Sequence, residues 1–79
     1  MINLQETLID IAKAIVDSPD EVKVQEEREG DDDITLILTV APDDTGMVIG
    51  RHGRIAKAIR TVMRAAAAGS GKRVTVEIR

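Results

Sequence analysis

Val48-Ile49-Gly50-Arg51-His52-Gly53-Arg54-Ile55-Ala56-Lys57-Ala58-Ile59 places two glycines three residues apart at the mouth of a helical pattern. Glycine within or beside a helix costs up to about 1 kcal/mol relative to alanine, so a pair at this place needs a reason. Two such residues let helices meet at a sharp angle and let the main chain approach a ligand with no Cβ in the way. Arg51 and His52 then project from the tip, where a guanidinium can donate a forked pair of hydrogen bonds to phosphate oxygens. His52 has two readings, a donor to phosphate or an incidental surface histidine.

Working outward, the spacing predicts a helix from about Arg54 to Ala68, ended by Gly69 where a left-handed glycine cap is common. At about 100° per residue, Ile55, Ile59, Val62 and Ala66 share one sector, expected to face a sheet, and Lys57, Arg60 and Arg64 fall opposite, in solvent. Ile55 and Ile59 therefore read as structural. Arg54 and Lys57 stand nearest the helix start, where main-chain N–H groups and the dipole favour an anion. Arg60, Arg64 and Arg79 read as solubilising.

Beyond that helix, Val74, Val76 and Ile78 alternate with Arg73, Thr75 and Glu77, the period of a strand with one apolar face. Upstream, Leu4, Leu8, Ile11, Ala12, Ile15 and Val16 form the stripe of an amphipathic helix ending near Ser18-Pro19. Val22 and Val24, then Ile34, Leu36, Leu38 and Val40, predict two strands joined as a hairpin with a long acidic tip, Glu29-Gly30-Asp31-Asp32-Asp33. Pro42 stops the second strand, and Asp43 or Asp44 is placed to cap the short helical turn carrying Met47, Val48 and Ile49. The order is helix, strand, strand, helix, helix, strand. Such elements pack as an α+β two-layer domain, with helices on one face of a three-stranded sheet.

The chain of 79 residues has room for one core, so residues 1–79 read as a single domain. It contains no Phe, Tyr or Trp, which leaves a modest aliphatic core and makes self-association a reasonable expectation. Without cysteine there is no disulfide framework or thiolate chemistry, and one histidine makes no recognisable zinc site, so neither metal nor cofactor is expected. No run has the roughly 18 apolar residues of a membrane span, and Met1 to Glu6 lack the basic start of a signal peptide, which points to a soluble cytoplasmic protein.

The net charge of −3 conceals a division. Thirteen of the fourteen acidic residues lie at or before Gly46, whereas eight of the eleven Lys and Arg follow it. A polyanion fits the second part. Neither of the other phosphate-loop patterns applies. Gly69-Ser70-Gly71-Lys72 follows a helix and is followed by Arg73, which is not a P-loop, and Gly46, Gly50 and Gly53 are spaced wrongly for a dinucleotide fingerprint. The carboxylates cluster away from the histidine, so no acid, base and nucleophile converge as an enzyme requires.

The quoted stretch resembles the signature of the KH domain, an RNA- and single-stranded-DNA-binding module, and the element order resembles its type II, prokaryotic form. Asp44-Thr45-Gly46-Met47-Val48-Ile49-Gly50 before the loop and Arg54-Ile55-Ala56-Lys57-Ala58-Ile59-Arg60-Thr61 after it resemble the bacterial KhpA family of stand-alone KH proteins. That resemblance implies a groove clamping about four nucleotides of single-stranded RNA without obligatory aromatic stacking. Gly50, Arg51, His52 and Gly53 would hold phosphates, Arg54 and Lys57 would add charge, and Ile49 would help floor the groove. It also implies RNA-chaperone or regulatory work connected with cell elongation, homodimerisation, and pairing with a larger multidomain KH protein known as KhpB, Jag or EloR. The acidic hairpin tip, the variable loop of such a fold, would border the groove and repel phosphates. A protein-interaction module with a vestigial loop is the alternative.

Overall fold

A computed structural model describes residues 3–79. α1 (Leu4–Ile15) starts at Asn3, whose Oδ1 accepts a hydrogen bond from the Glu6 N–H at 3.1 Å and so satisfies one of the helix's orphan donors. Its stripe buries Leu4, Leu8 and Ala12, with Ile11, Ile15 and Val16 packed against the same cluster. A short turn at Pro19–Glu21 leads into β1 (Lys23–Glu29).

β1 pairs antiparallel with β2 (Asp33–Thr39), Val24 opposite Leu38 and Glu29 opposite Asp33. The hairpin tip is therefore shorter than expected: Glu29 and Asp33 belong to the ladder, and Gly30, Asp31 and Asp32 make the turn, with Gly30 at φ 73°. β2 is the central strand of the order β1-β2-β3. Its buried run Leu36, Ile37, Leu38 reflects this: Leu36 and Leu38 meet the helices, while Ile37 lies on the other face with Gln25 and Glu77 beside it in register.

Beyond a 3₁₀ turn at Pro42–Asp44 comes α2 (Thr45–Ile49). Asp44 stands at its N-cap yet caps nothing there. Its buried carboxylate instead accepts from the Ser18 N–H at 3.0 Å, tying the chain after α1 to the entry of α2.

α3 (Arg54–Ala68) has the expected bounds but a different buried face. Ala56, Ile59, Met63 and Ala67 are buried, whereas Ile55 and Val62 are 38% and 51% exposed. The small Ala56 and Ala67 let the helix backbone lie close to its neighbours, and the larger Ile55 and Val62 are left on the flank. Gly69 is right-handed, at φ −61°; the left-handed glycine is Gly71, φ 73°, and the Lys72 N–H returns to the Ala67 carbonyl at 3.0 Å. β3 (Arg73–Ile78) then runs parallel to β2, Leu36 beside Val76, the crossover that a parallel pair needs being supplied by α2 and α3. Helices cover the face bearing Val24, Leu36, Leu38, Val74 and Val76. This α+β arrangement is the type II KH fold.

Candidate nucleic-acid interface

Four residues make the corner between α2 and α3, and each glycine has a separate cause. Gly50 adopts φ 75°, ψ 172°, a region essentially closed to other residues, and a Cβ there would overlap Cγ1 of Ile55. Gly53 adopts φ 73°, ψ 14° with open space around it, so its backbone angle alone selects glycine. Between them His52 is the one described non-glycine residue at positive φ, 58°. Histidine is among the residues that tolerate this region, so His52 also has a conformational role at the tip.

The corner is closed by main-chain bonds from the Gly50 N–H to Gly46 O at 2.8 Å and from the Gly53 N–H to Gly50 O at 3.1 Å. No side chain caps the start of α3. The Arg54 N–H returns to Arg51 O, and the positive end of a 15-residue helix dipole meets solvent where Arg51, His52 and Arg54 are exposed. The described ion pairs use Arg28, Arg73 and Arg79, so the charges of Arg51, Arg54 and Lys57 are not committed to a carboxylate within the described residues. Ile49 is 39% exposed immediately before Gly50. The seven residues Ile49 to Arg54 and Lys57 thus gather at one end of α3.

The acidic tip is not at that end. The Arg73 N–H donates to Asp32 O at 2.8 Å, Lys72 Nζ donates to Asp31 O at 2.9 Å, and Arg73 Nε pairs with Asp33 Oδ1 at 2.9 Å. The tip is thus docked on the chain just after α3, about 22 Å from the glycine corner by the rise of a 15-residue helix.

Arg60 is exposed, as the helical wheel places it, but has a partner that the wheel does not show. Its Nε donates to the main-chain oxygen of Val76 at 3.2 Å, on the edge strand, so the exposed side chain is anchored at that atom. Lys57, Arg60 and Arg64 lie within about 60° of one another on the α3 surface. Two clefts, of about 110 and 630 Å³, follow this flank beside β3, and Arg64 lines both. The signal was the position of Arg60 next to Ala56 on the wheel, masked by the assumption that the largest apolar residues mark the buried side.

Among the described residues no group of three or more His, Cys, Asp or Glu could hold a metal ion, and no helix is long and apolar enough to cross a membrane.

A mixed three-stranded sheet, a glycine-bracketed corner and an uncapped cationic helix start define a KH domain. A family model described as KhpA/KhpB, KH domain, matches residues 5–78, and the chain belongs to that family. It is 57% identical over 75 residues to the RNA-binding protein KhpA of Clostridium acetobutylicum, covering 95% of this chain and 99% of that one. It is 57% identical over 68 residues to the RNA-binding protein KhpA of Caldanaerobacter subterraneus, covering 86% and 89%. The RNA-binding protein KhpA of Bacillus subtilis is 46% identical over 76 residues, 96% of this chain and 93% of that one.

Proposed function

We propose that this chain, a single KH domain over residues 1–79, binds single-stranded RNA in the cytoplasm by clamping phosphates at the Gly50–Gly53 corner. The observation that carries the reading is the corner itself: a backbone geometry open only to glycine beside Ile55, followed by a helix start with no side-chain cap, flanked by Arg51 and Arg54, which are in no ion pair among the described residues. The KhpA proteins to which it is similar are named as RNA-binding, which supports the same ligand. Arg51 and His52 approach the phosphates, Arg54 and Lys57 add charge, and Ile49 contributes apolar floor under the bases. The work done is that of an RNA chaperone or post-transcriptional regulator connected with cell elongation, and a larger multidomain KH protein of the KhpB type is a partner.

Arg51→Asp with His52→Asp is expected to abolish binding of labelled single-stranded RNA in fluorescence anisotropy and to leave the circular dichroism spectrum unchanged. With about three phosphates engaged, the wild-type slope of log affinity against log salt is expected near −2. Undiminished binding by the double variant, or a slope near zero, sinks phosphate clamping.

A second reading, self-association through α3, is favoured by the apolar stripe that the fold leaves outside. Ile55 and Val62, with Ala58 and Ala65 between and after them, are exposed along one flank of that helix. Val62→Asp is expected to convert a homodimer into a monomer in analytical ultracentrifugation; an unchanged sedimentation coefficient removes this flank as the interface.

A further inference from the structure

We infer that Lys57 is a site of acylation by an acyl phosphate, and that the corner recruits this reagent through its phosphate. The inference rests on the phosphate-clamping reading and goes beyond it, because it assigns Lys57 a covalent chemistry that weakens the clamp. The chain has four lysines, Lys13, Lys23, Lys57 and Lys72. Lys72 is engaged, its Nζ donating to Asp31 O at 2.9 Å. The other three are exposed, and none is in an ion pair among the described residues. Their surroundings separate them. Lys13 lies in the last turn of α1, three residues after Asp10 and so on the same side of the helix. Lys23 begins β1, on the sheet face that also carries Glu27 and Glu29. Both places repel a phosphate dianion. Lys57 instead stands one turn past Gly53 and Arg54 on α3, and helical side chains lean toward the N-terminus, so its stem runs back toward the corner. Nothing lies within 4 Å of the place that a Cβ on Gly53 would take, so a small anion can enter there. Arg51 and Arg54 flank that place, exposed and in no ion pair among the described residues.

An acyl phosphate joins a phosphate group through oxygen to an activated carbonyl carbon. Charge-assisted hydrogen bonds from Arg51 and Arg54 hold the phosphate and bring that carbon beside the lysine amine. The unprotonated Nζ of Lys57 attacks the carbonyl carbon with its lone pair. The C–O bond to phosphate breaks, inorganic phosphate leaves with that electron pair, and the amine proton passes to water. An amide bond forms, and nothing is oxidised or reduced. The acylated lysine is neutral, so the corner has one cation fewer to set against a bound strand.

The test treats the full chain with acetyl phosphate and, in parallel, with acetic anhydride, which delivers the same acyl group and carries no phosphate. Peptide mass spectrometry follows the four lysines. With acetyl phosphate, Lys57 is expected to react about tenfold faster than Lys13 or Lys23, since holding a reagent beside a nucleophile raises its effective concentration. With acetic anhydride that preference is expected to vanish. Arg51→Gln with Arg54→Gln, and separately an excess of inorganic phosphate, are each expected to lower the acetyl phosphate rate at Lys57 to that at Lys13 and to leave the other lysines as they were. The chain acetylated at Lys57 is expected to bind labelled single-stranded RNA several-fold more weakly than the untreated chain, with a slope against log salt shallower by about 0.7. Equal rates at the three exposed lysines with acetyl phosphate, or the same preference with acetic anhydride, overturns recruitment of the reagent while leaving RNA binding in place. Unchanged RNA affinity after acetylation at Lys57 overturns the weakening of the clamp. An untreated chain that binds no RNA, yet shows the preference for Lys57 with acetyl phosphate alone, sinks the RNA-binding reading and leaves acylation of Lys57 standing.

Discussion

The two ends of α3 are built from the same materials and do opposite things. Each has glycine at positive φ and nearby cations: Gly50 and Gly53 with Arg51, Arg54 and Lys57 at the start, Gly71 with Lys72 and Arg73 after the end. At the start the cations are in no described ion pair, and the helix dipole presents its positive end to solvent. At the far end the hairpin tip takes them up, Asp33 by an ion pair with Arg73 and Asp31 through its carbonyl to Lys72. Negative side chains there face the negative end of the helix, so that end has little attraction for a polyanion. The acidic tip is thus no obstacle to binding a phosphate backbone at the corner, since it is docked beyond the other end of α3.

The sharpest way to break the comparison is to place a Cβ at each end. At Gly50 an alanine meets both a backbone region reserved for glycine and Cγ1 of Ile55. Backbone strain and overpacking each cost about 1–3 kcal/mol, so a loss of about 3 kcal/mol is expected for Gly50→Ala in urea unfolding. At Gly71 the φ of 73° is similar and nothing lies within 4 Å of the added atom. The left-handed penalty of about 1–2 kcal/mol, partly offset by a less flexible unfolded chain, leaves about 1 kcal/mol for Gly71→Ala. Equal losses at the two positions would falsify the idea that Ile55 closes over Gly50.

That pair of glycines also marks how far the sequence could be read. The bounds of α3, the alternation of β2 and β3 and the glycine corner at the start of α3 were legible, because periodicity and backbone-special residues are local signals. What was misread depends on distance between elements. The wheel drawn through Ile55, Ile59, Val62 and Ala66 was turned toward its largest residues, whereas the side that meets the other elements carries Ala56, Met63 and Ala67. A close backbone approach selects small residues, and hydrophobicity alone scores them low. Asp44 was recognised as a helix-start residue, but its partner, the Ser18 N–H, is 26 positions away in sequence and has no local signature. Arg60 was rightly placed in solvent, but its acceptor, Val76 O, is supplied by a strand 16 residues later and has no local signature either. The repulsion expected from the acidic tip likewise presumed a proximity that only the pairing of Arg73 with Asp32 and Asp33 could decide.

The smallest expected effect is the most informative about that last point. Asp31→Asn with Asp32→Asn removes two charges from the hairpin tip and, were the tip beside the bound phosphates, would raise affinity several-fold. The tip is instead separated from the corner by the length of α3, about 22 Å. At physiological ionic strength the screening length is about 8 Å, so charges on exposed residues at that separation hardly interact. For a four-nucleotide strand the affinity is expected to change by less than about twofold, and the salt slope to stay as in the wild type. Lengthening the strand past the corner and along the β3 edge brings its phosphates toward Arg64, Lys72 and Arg73, which line the larger cleft together with Asp33. There the substitution is expected to matter more, so the gain should grow with strand length. A several-fold gain already present with four nucleotides would show that the bound strand runs close to the tip, and the two ends of α3 would then be parts of one site.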